Sequence, residues 1–192
     1  DLPVEEIAFT GGEPFMNPDL PAMVEDSLQR GYRALVLTNA MLPMHHKRRQ
    51  LLDLERRFPG KLTLRVSVDH YTPEKHDEVR GAGSWAPMLK GLKWLAENGF
   101  ALAVAGRTLW NETDEEARQG YAALFAEHRI PIEAGERGLL VLFPEMDARV
   151  DVPEITVSCW EILGVAPETM MCATSRMVIK RRGAAAPVVV PC

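Results

Sequence analysis

The sequence predicts an α/β protein built on a mainly parallel sheet, and three observations carry that expectation. Short apolar, partly β-branched runs recur at 6–10, 34–38, 62–68, 100–105 and 139–143. Between them lie stretches whose apolar residues return every three to four positions, the period of an amphipathic helix. Each strand-to-strand crossover is about thirty residues long, enough for a helix to carry the chain back to the same end of a sheet.

Taken in order, Glu6-Ile7-Ala8-Phe9-Thr10 is the first strand, ended by Gly11-Gly12. Residues 18–30 form a helix with Leu20, Met23, Val24 and Leu28 on one face, Asn17 as its cap, Pro18 in its first turn and Gly31 as its stop. Ala34 to Thr38 is the second strand. A helix over 47–58 carries Leu51, Leu54 and Phe58 inward and ends at Pro59-Gly60. Residues 62–68 make the third strand. A strong helix over 84–98 follows, with Trp85, Met88, Leu89, Leu92, Leu95 and Ala96 in its stripe and Ser84 as its cap. After a fourth strand, Thr113 and Glu116 form a capping box for a helix reaching His128. Residues 139–143 make the fifth strand. Past Pro144 the texture changes, so a boundary is expected near residue 145. Beyond it the sequence predicts a short helix over 153–163 and two β-like arms, 177–180 and 187–190, around a glycine turn.

The composition is that of a soluble globular domain, 46% hydrophobic and 26% charged, with a net charge of -5 over 192 residues. No basic block exceeds Lys47-Arg48-Arg49 or Lys180-Arg181-Arg182, so a broad nucleic-acid surface is not expected. No apolar run approaches the roughly eighteen residues a membrane helix needs. No secretory signal is visible. The chain opens at Asp1, almost directly on a strand, and is read as a piece of a longer protein. Three cysteines, Cys159, Cys172 and Cys192, are too few and too odd in number for a disulfide framework, which points to a reducing, cytoplasmic setting.

In parallel α/β folds ligands bind beyond the carboxyl ends of the strands. The residues there are Gly11, Gly12, Glu13 and Pro14; Thr38 and Asn39; Ser67 and Asp69; and Arg107 and Asn111. A double glycine lets the backbone approach a ligand, or simply turns the chain. Glu13 suits an ammonium group. Arg107 suits a carboxylate, or a surface ion pair. Thr38-Asn39 also fits a turn that caps a helix, and Ser67 and Asp69, which share a strand face, also fit caps for the following helix. Asp69-His70 and His76-Asp77 match no standard metal spacing and are read as loop residues. His45, His46 and His128 are read as surface or helix-end residues.

Together these segments resemble the radical S-adenosylmethionine enzymes. Phe9-Thr10-Gly11-Gly12-Glu13-Pro14-Phe15 is similar to the family's Gly-Gly-Glu-Pro motif, Leu37-Thr38-Asn39 to its third-strand motif, and Val66-Ser67-Val68-Asp69 to its fourth-strand motif. The resemblance covers residues 4 to about 143 and implies a partial (β/α)6 barrel, similar to a TIM barrel, with its first βα unit missing. It implies S-adenosylmethionine bound through the ten residues above. It also implies a 4Fe–4S cluster whose reductive cleavage of the sulfonium starts radical chemistry on a small-molecule or peptide substrate, with an electron donor as partner. The family's CxxxCxxC loop is absent from this sequence, so the piece alone is expected to be inactive, its cluster ligands lying upstream. Cys172 and Cys192, flanking the two arms, resemble the start of an auxiliary Fe–S domain, or are two buried thiols; Cys159 is assigned to packing. The alternative function is a cluster-free relative acting as a nucleoside-binding or scaffold module. A barrel lacking its first strand would also expose the edge at Glu6 to Thr10 and self-associate there.

Overall fold

The computed structural model describes residues 4–109, 111–144, 149, 151 and 156–191. They fall into two compact units, residues 1–145 and 146–192. The first holds five strands, β1 (Glu6–Phe9), β2 (Arg33–Thr38), β3 (Leu62–Ser67), β4 (Ala101–Thr108) and β5 (Leu140–Pro144). They pair side by side in chain order, every pair parallel. The sheet curls through about 189°, half a barrel, with its helices flanking it. The partial parallel barrel expected from the sequence is therefore what this unit forms.

Among its described residues this unit has six α-helices: α1 (Leu20–Gln29), α2 (Leu42–His45), α3 (Arg48–Arg57), α4 (Pro73–Arg80), α5 (Trp85–Glu97) and α6 (Asp114–His128). The register sorts the strand residues onto two faces. Val36, Leu64 and Leu102 are neighbours across three strands, as are Val104 and Leu140. This face packs on Leu20, Val24, Leu51, Leu54, Leu92, Leu95 and Phe125 of the helices in one buried cluster. Each such side chain contributes about 1.5–3 kcal/mol by leaving water, so the stability of the unit is concentrated between sheet and helices. The inner face of the half-barrel is thereby free to carry other residues. There, Leu37 neighbours Arg65 and Arg65 neighbours Ala103, while Ser67, Ala105 and Val141 form the next row toward the carboxyl edge.

Several boundaries differ from the sequence expectation. Helix α1 starts at Leu20, because the Asn17 side chain accepts the Asp19 N–H at 3.0 Å and holds an open turn before it. Helices α2 and α4 were not expected. Both begin with a proline in the first turn, Pro43 and Pro73, where no N–H is needed. His76 therefore lies on a helix, not in a loop. The α5 terminus is capped by Asp77 rather than Ser84. Asp77 accepts Gly83 N–H at 2.7 Å, Trp85 N–H at 2.8 Å and the Ser84 hydroxyl at 2.9 Å, and these bonds, the Gly83 amide first, hold its carboxyl below the usual range. The Thr113–Glu116 capping box is present, with Glu116 N–H donating to Thr113 Oγ1 at 3.2 Å and Thr113 N–H to Glu116 at 2.9 Å.

In the second unit the described elements are α7 (Cys159–Leu163), α8 (Met171–Thr174) and an antiparallel hairpin of β6 (Arg176–Ile179) and β7 (Val188–Pro191). The hairpin was expected; of the helix expected over 153–163, residues 153–155 lie outside the described residues.

Candidate functional site

The carboxyl ends of β1 to β4 bring the expected polar residues to one edge of the sheet. The chain leaves β1 through Thr10 and Gly11, whose φ of 145° is open to glycine and strained for other residues. A Cβ added at Gly11 or Gly12 would meet nothing within 4 Å. Packing within the protein thus does not require a small residue at position 12; the space kept clear lies on the exposed side of the turn.

Glu13 closes this turn. Its Oε1 accepts Phe15 N–H at 3.1 Å and the Thr38 hydroxyl at 2.9 Å, and its Oε2 accepts Asn39 N–H at 2.8 Å. Pro14 starts the short 3-10 turn Pro14–Met16 that sets Glu13 at its cap. Three of the roughly four lone-pair sites of a carboxylate are then filled, and one on Oε2 is left. Thr38 is buried, on the helix side of the sheet by its alternation with Ala34 and Val36. It works through Glu13, and its oxygen also accepts Ala40 N–H at 3.0 Å. Asn39 Oδ1 accepts Met41 N–H at 2.9 Å. The turn at Thr38-Asn39 is thus tied both to Glu13 and to the backbone that follows it.

On β3, Ser67 is half-buried on the inner face. Asp69 is only 4% exposed and is gripped by two arginines: Arg80 donates to both its oxygens, and Arg107 Nε lies 3.5 Å from Oδ1. Neither Ser67 nor Asp69 caps α4, whose cap is Thr72. Arg107 holds Asp69 with 41% of its own side chain exposed. Asn111 is exposed, at a φ of 55°.

Beside this edge is a polar cluster that sequence reasoning missed. Glu112 accepts from Lys75 Nζ at 2.6 Å, from Tyr71 OH at 3.1 Å and from His70 Nε2 at 3.2 Å. His70 Nδ1 accepts Thr72 N–H at 2.9 Å, which assigns the proton of the neutral ring to Nε2. Burial holds His70 below its usual pKa, against the pull of Glu112. Burial raises the Glu112 carboxyl, but the bonds from Lys75 and His70 outweigh it and leave the net shift downward. The cluster ties the loop after β3 to the loop after β4. A carboxylate directly after Asn111 was the available signal. His45, read as a surface or helix-end residue, is the last residue of α2, with both ring nitrogens buried and without a hydrogen-bond partner.

Residues 1–122 match the model of the radical SAM superfamily. The chain belongs to that superfamily. Among curated proteins, it is 28% identical over 147 residues to the antilisterial bacteriocin subtilosin biosynthesis protein AlbA of Bacillus subtilis (strain 168), covering 73% of this chain and 32% of that protein. It is 30% identical over 151 residues to GTP 3',8-cyclase of Tolumonas auensis, covering 78% of this chain and 42% of the other. The chain thus spans less than half the length of these relatives. Among solved structures, Streptococcus suis SuiB aligns with a TM-score of 0.56 at 14% identity, over 83% of this chain and 34% of that one. A structure of TYW1 with a lysine-pyruvate adduct bound aligns at 0.52 and 17% identity, over 92% and 53%. At such identities these two show the fold alone.

The family implies S-adenosylmethionine and an Fe–S cluster. The chemistry of the residues present is compatible with the first: an exposed glycine corner, an acceptor on Glu13, a hydroxyl on Ser67 and a guanidinium on Arg107 lie along one edge. They do not fit the cluster. Among the described residues no group of three or more His, Cys, Asp or Glu could hold a metal ion, and the sequence has no CxxxCxxC. Cys192 and the Cys172 side chain, expected as auxiliary ligands, lie outside the described residues; Cys159 is a half-buried free thiol. No described helix is long and apolar enough to cross a membrane.

Proposed function

We propose that this chain is the S-adenosylmethionine-cradling part of a radical SAM enzyme, acting on a small-molecule or peptide substrate with an electron donor as partner. The observation that supports it most is Glu13, locked by Thr38, Asn39 and Phe15 so that one acceptor position remains beside the exposed Gly11-Gly12 backbone. S-adenosylmethionine supplies radical chemistry that side chains do not have. The residues of this chain bind and orient. Gly11 and Gly12 admit the methionyl end, Glu13 accepts its ammonium, and Arg107 meets its carboxylate. Ser67 offers its hydroxyl to the ribose. Asp69 acts one step back, fixing Arg107 in place. No step here passes through a cluster.

Titration of the chain with S-adenosylmethionine, followed by amide chemical shifts, tests this. The expected result is a saturable shift at Gly11, Gly12, Asn39 and Ser67, weakened roughly tenfold or more in Glu13→Gln, which loses a charge-assisted contact. No saturable shift in the wild-type chain, or shifts confined to residues far from this edge, would overturn it. Binding without turnover in the complete natural protein would favour the scaffold module instead.

A further inference from the structure

The inner face of the half-barrel carries a cation, Arg65, that makes no ion pair among the described residues. Arg65 sits in the middle of β3, two residues before Ser67, and so projects on the same face, about 6.6 Å deeper along the strand. It is half-buried, and its Nε is fully buried with no hydrogen-bond partner. Among the described residues no acceptor or carboxylate lies within bonding distance of its guanidinium. The acids nearest in register are already engaged: Glu6 with Arg33, and Asp69 with Arg80 and Arg107.

Its neighbours on this face are apolar and mostly small. The lateral neighbours of Arg65 are Leu37 and Ala103, and Ala8, Ala101 and Ala105 share the face. The inner side of the curled sheet thus carries methyl groups on β4 and β1 around the planar five-donor group of Arg65. A buried N–H without a partner disfavours the ligand-free fold. A cation placed so is explained by an anion that arrives to pair with it, and a guanidinium favours planar or tetrahedral oxyanions taken in bidentate fashion.

We infer that Arg65 is the substrate-recognition residue of this site, and that the substrate carries an anionic oxygen group, carboxylate or phosphate, directed into the half-barrel below the nucleoside. This rests on the reading of the carboxyl edge as the S-adenosylmethionine site, since it makes the deeper face the substrate side.

The test is titration of the full chain with sodium malonate and, separately, sodium phosphate. Each is run with and without S-adenosylmethionine, so that the carboxylate of the latter is not the anion observed. The readouts are the Nε–H resonance of Arg65 and the melting temperature. One of the two anions is expected to shift the Arg65 resonance saturably and to bind at least roughly tenfold more weakly to Arg65→Met, with Arg65→Lys in between. Malonate identifies a carboxylate substrate, phosphate a phosphorylated one. Ligand-free Arg65→Met is expected to melt a few degrees higher, on the order of 2–4 °C, as an unpaired buried donor is removed. Equal binding by wild type and Arg65→Met, no response of Arg65 to either anion, or a lower melting point in Arg65→Met would overturn the inference. S-adenosylmethionine binding is read in the same samples. If it is absent while the anion binds through Arg65, the cofactor reading alone fails; if it persists while Arg65 is indifferent, this inference alone fails.

Discussion

Glu13 shows how a single side chain couples sequence motif to fold. Its carboxylate receives three donors from two segments, so Glu13→Gln places an amide NH2 against at least one N–H or O–H. Leaving such a donor unsatisfied costs about 1–3 kcal/mol, and urea denaturation should show a loss of that size even without ligand. Thr38→Val should cost a similar amount, because it takes one donor from Glu13 and leaves the buried Ala40 N–H without its acceptor. The double variant should lose less than the sum of the two single ones, by roughly 0.5–3 kcal/mol, since both act on one bond network. Strict additivity would mean that the Thr38–Glu13 bond is not formed in solution. Most of this was legible in the residues: the corner, the acid and the strand ends could be named from their order. That Thr38 faces the helices and reaches the site only through Glu13 could not, because the glutamate and the threonine stand 25 positions apart.

At the level of elements, two opposed effects meet at Gly91 in α5. Replacing a mid-helix glycine by alanine favours the helix by about 1 kcal/mol. A Cβ there, however, would collide with the carbonyl of Ala40, a buried residue at a φ of 57° just after Asn39. Backbone cannot yield as a side-chain tip can, so overpacking of about 1–3 kcal/mol or more wins. Gly91→Ala should therefore lower stability and disturb the amide shifts of Asn39; a higher melting point would refute the contact. At α6 the expectation is simpler. Thr113→Ala removes the cap and should cost about 1 kcal/mol, read as a shift of the urea midpoint with an unchanged m-value. The capping box was visible in four residues of sequence because both partners lie on one turn. The Asp77 cap on α5 was not, since its acceptor lies on the preceding helix and the local pattern pointed to Ser84.

For the molecule as a whole, buried histidines set a pH dependence. His70 and His76 are almost fully buried, and burial holds the pKa of each below its usual value; the same cause lowers His45, aided by Arg48 and Lys90. In the unfolded chain these rings protonate near pH 6.5. As pH falls through that value the unfolded state takes up protons that the folded state refuses, so stability falls with falling pH. The melting temperature should drop between about pH 7.5 and 5.5. His76→Asn keeps an acceptor for the Asp69 N–H that His76 Nδ1 now receives at 3.2 Å, and should flatten part of that slope. A slope unchanged by the variant would remove His76 from the account. Strand β1 pairs only with β2 among the described residues. We propose self-association along this edge, read as a sedimentation coefficient that rises with concentration; a concentration-independent monomer would argue against it.

The order of strands, the four longer helices, the parallel half-barrel, the glycine corner and the capping box were written locally, in period, punctuation and short spacing, and the sequence by itself determined them. What only the tertiary structure decided concerns pairs far apart in the chain. Asp69 is held by Arg80 and Arg107, Glu112 gathers three donors from the loop after β3 and the start of α4, and Arg65 faces the inside of the barrel with no hydrogen-bond partner on its Nε. Alternation along β3 could have put Arg65 on the face of Ser67. Whether an acid waits across from it depends on how five strands curl in space, and a linear pattern carries no record of that.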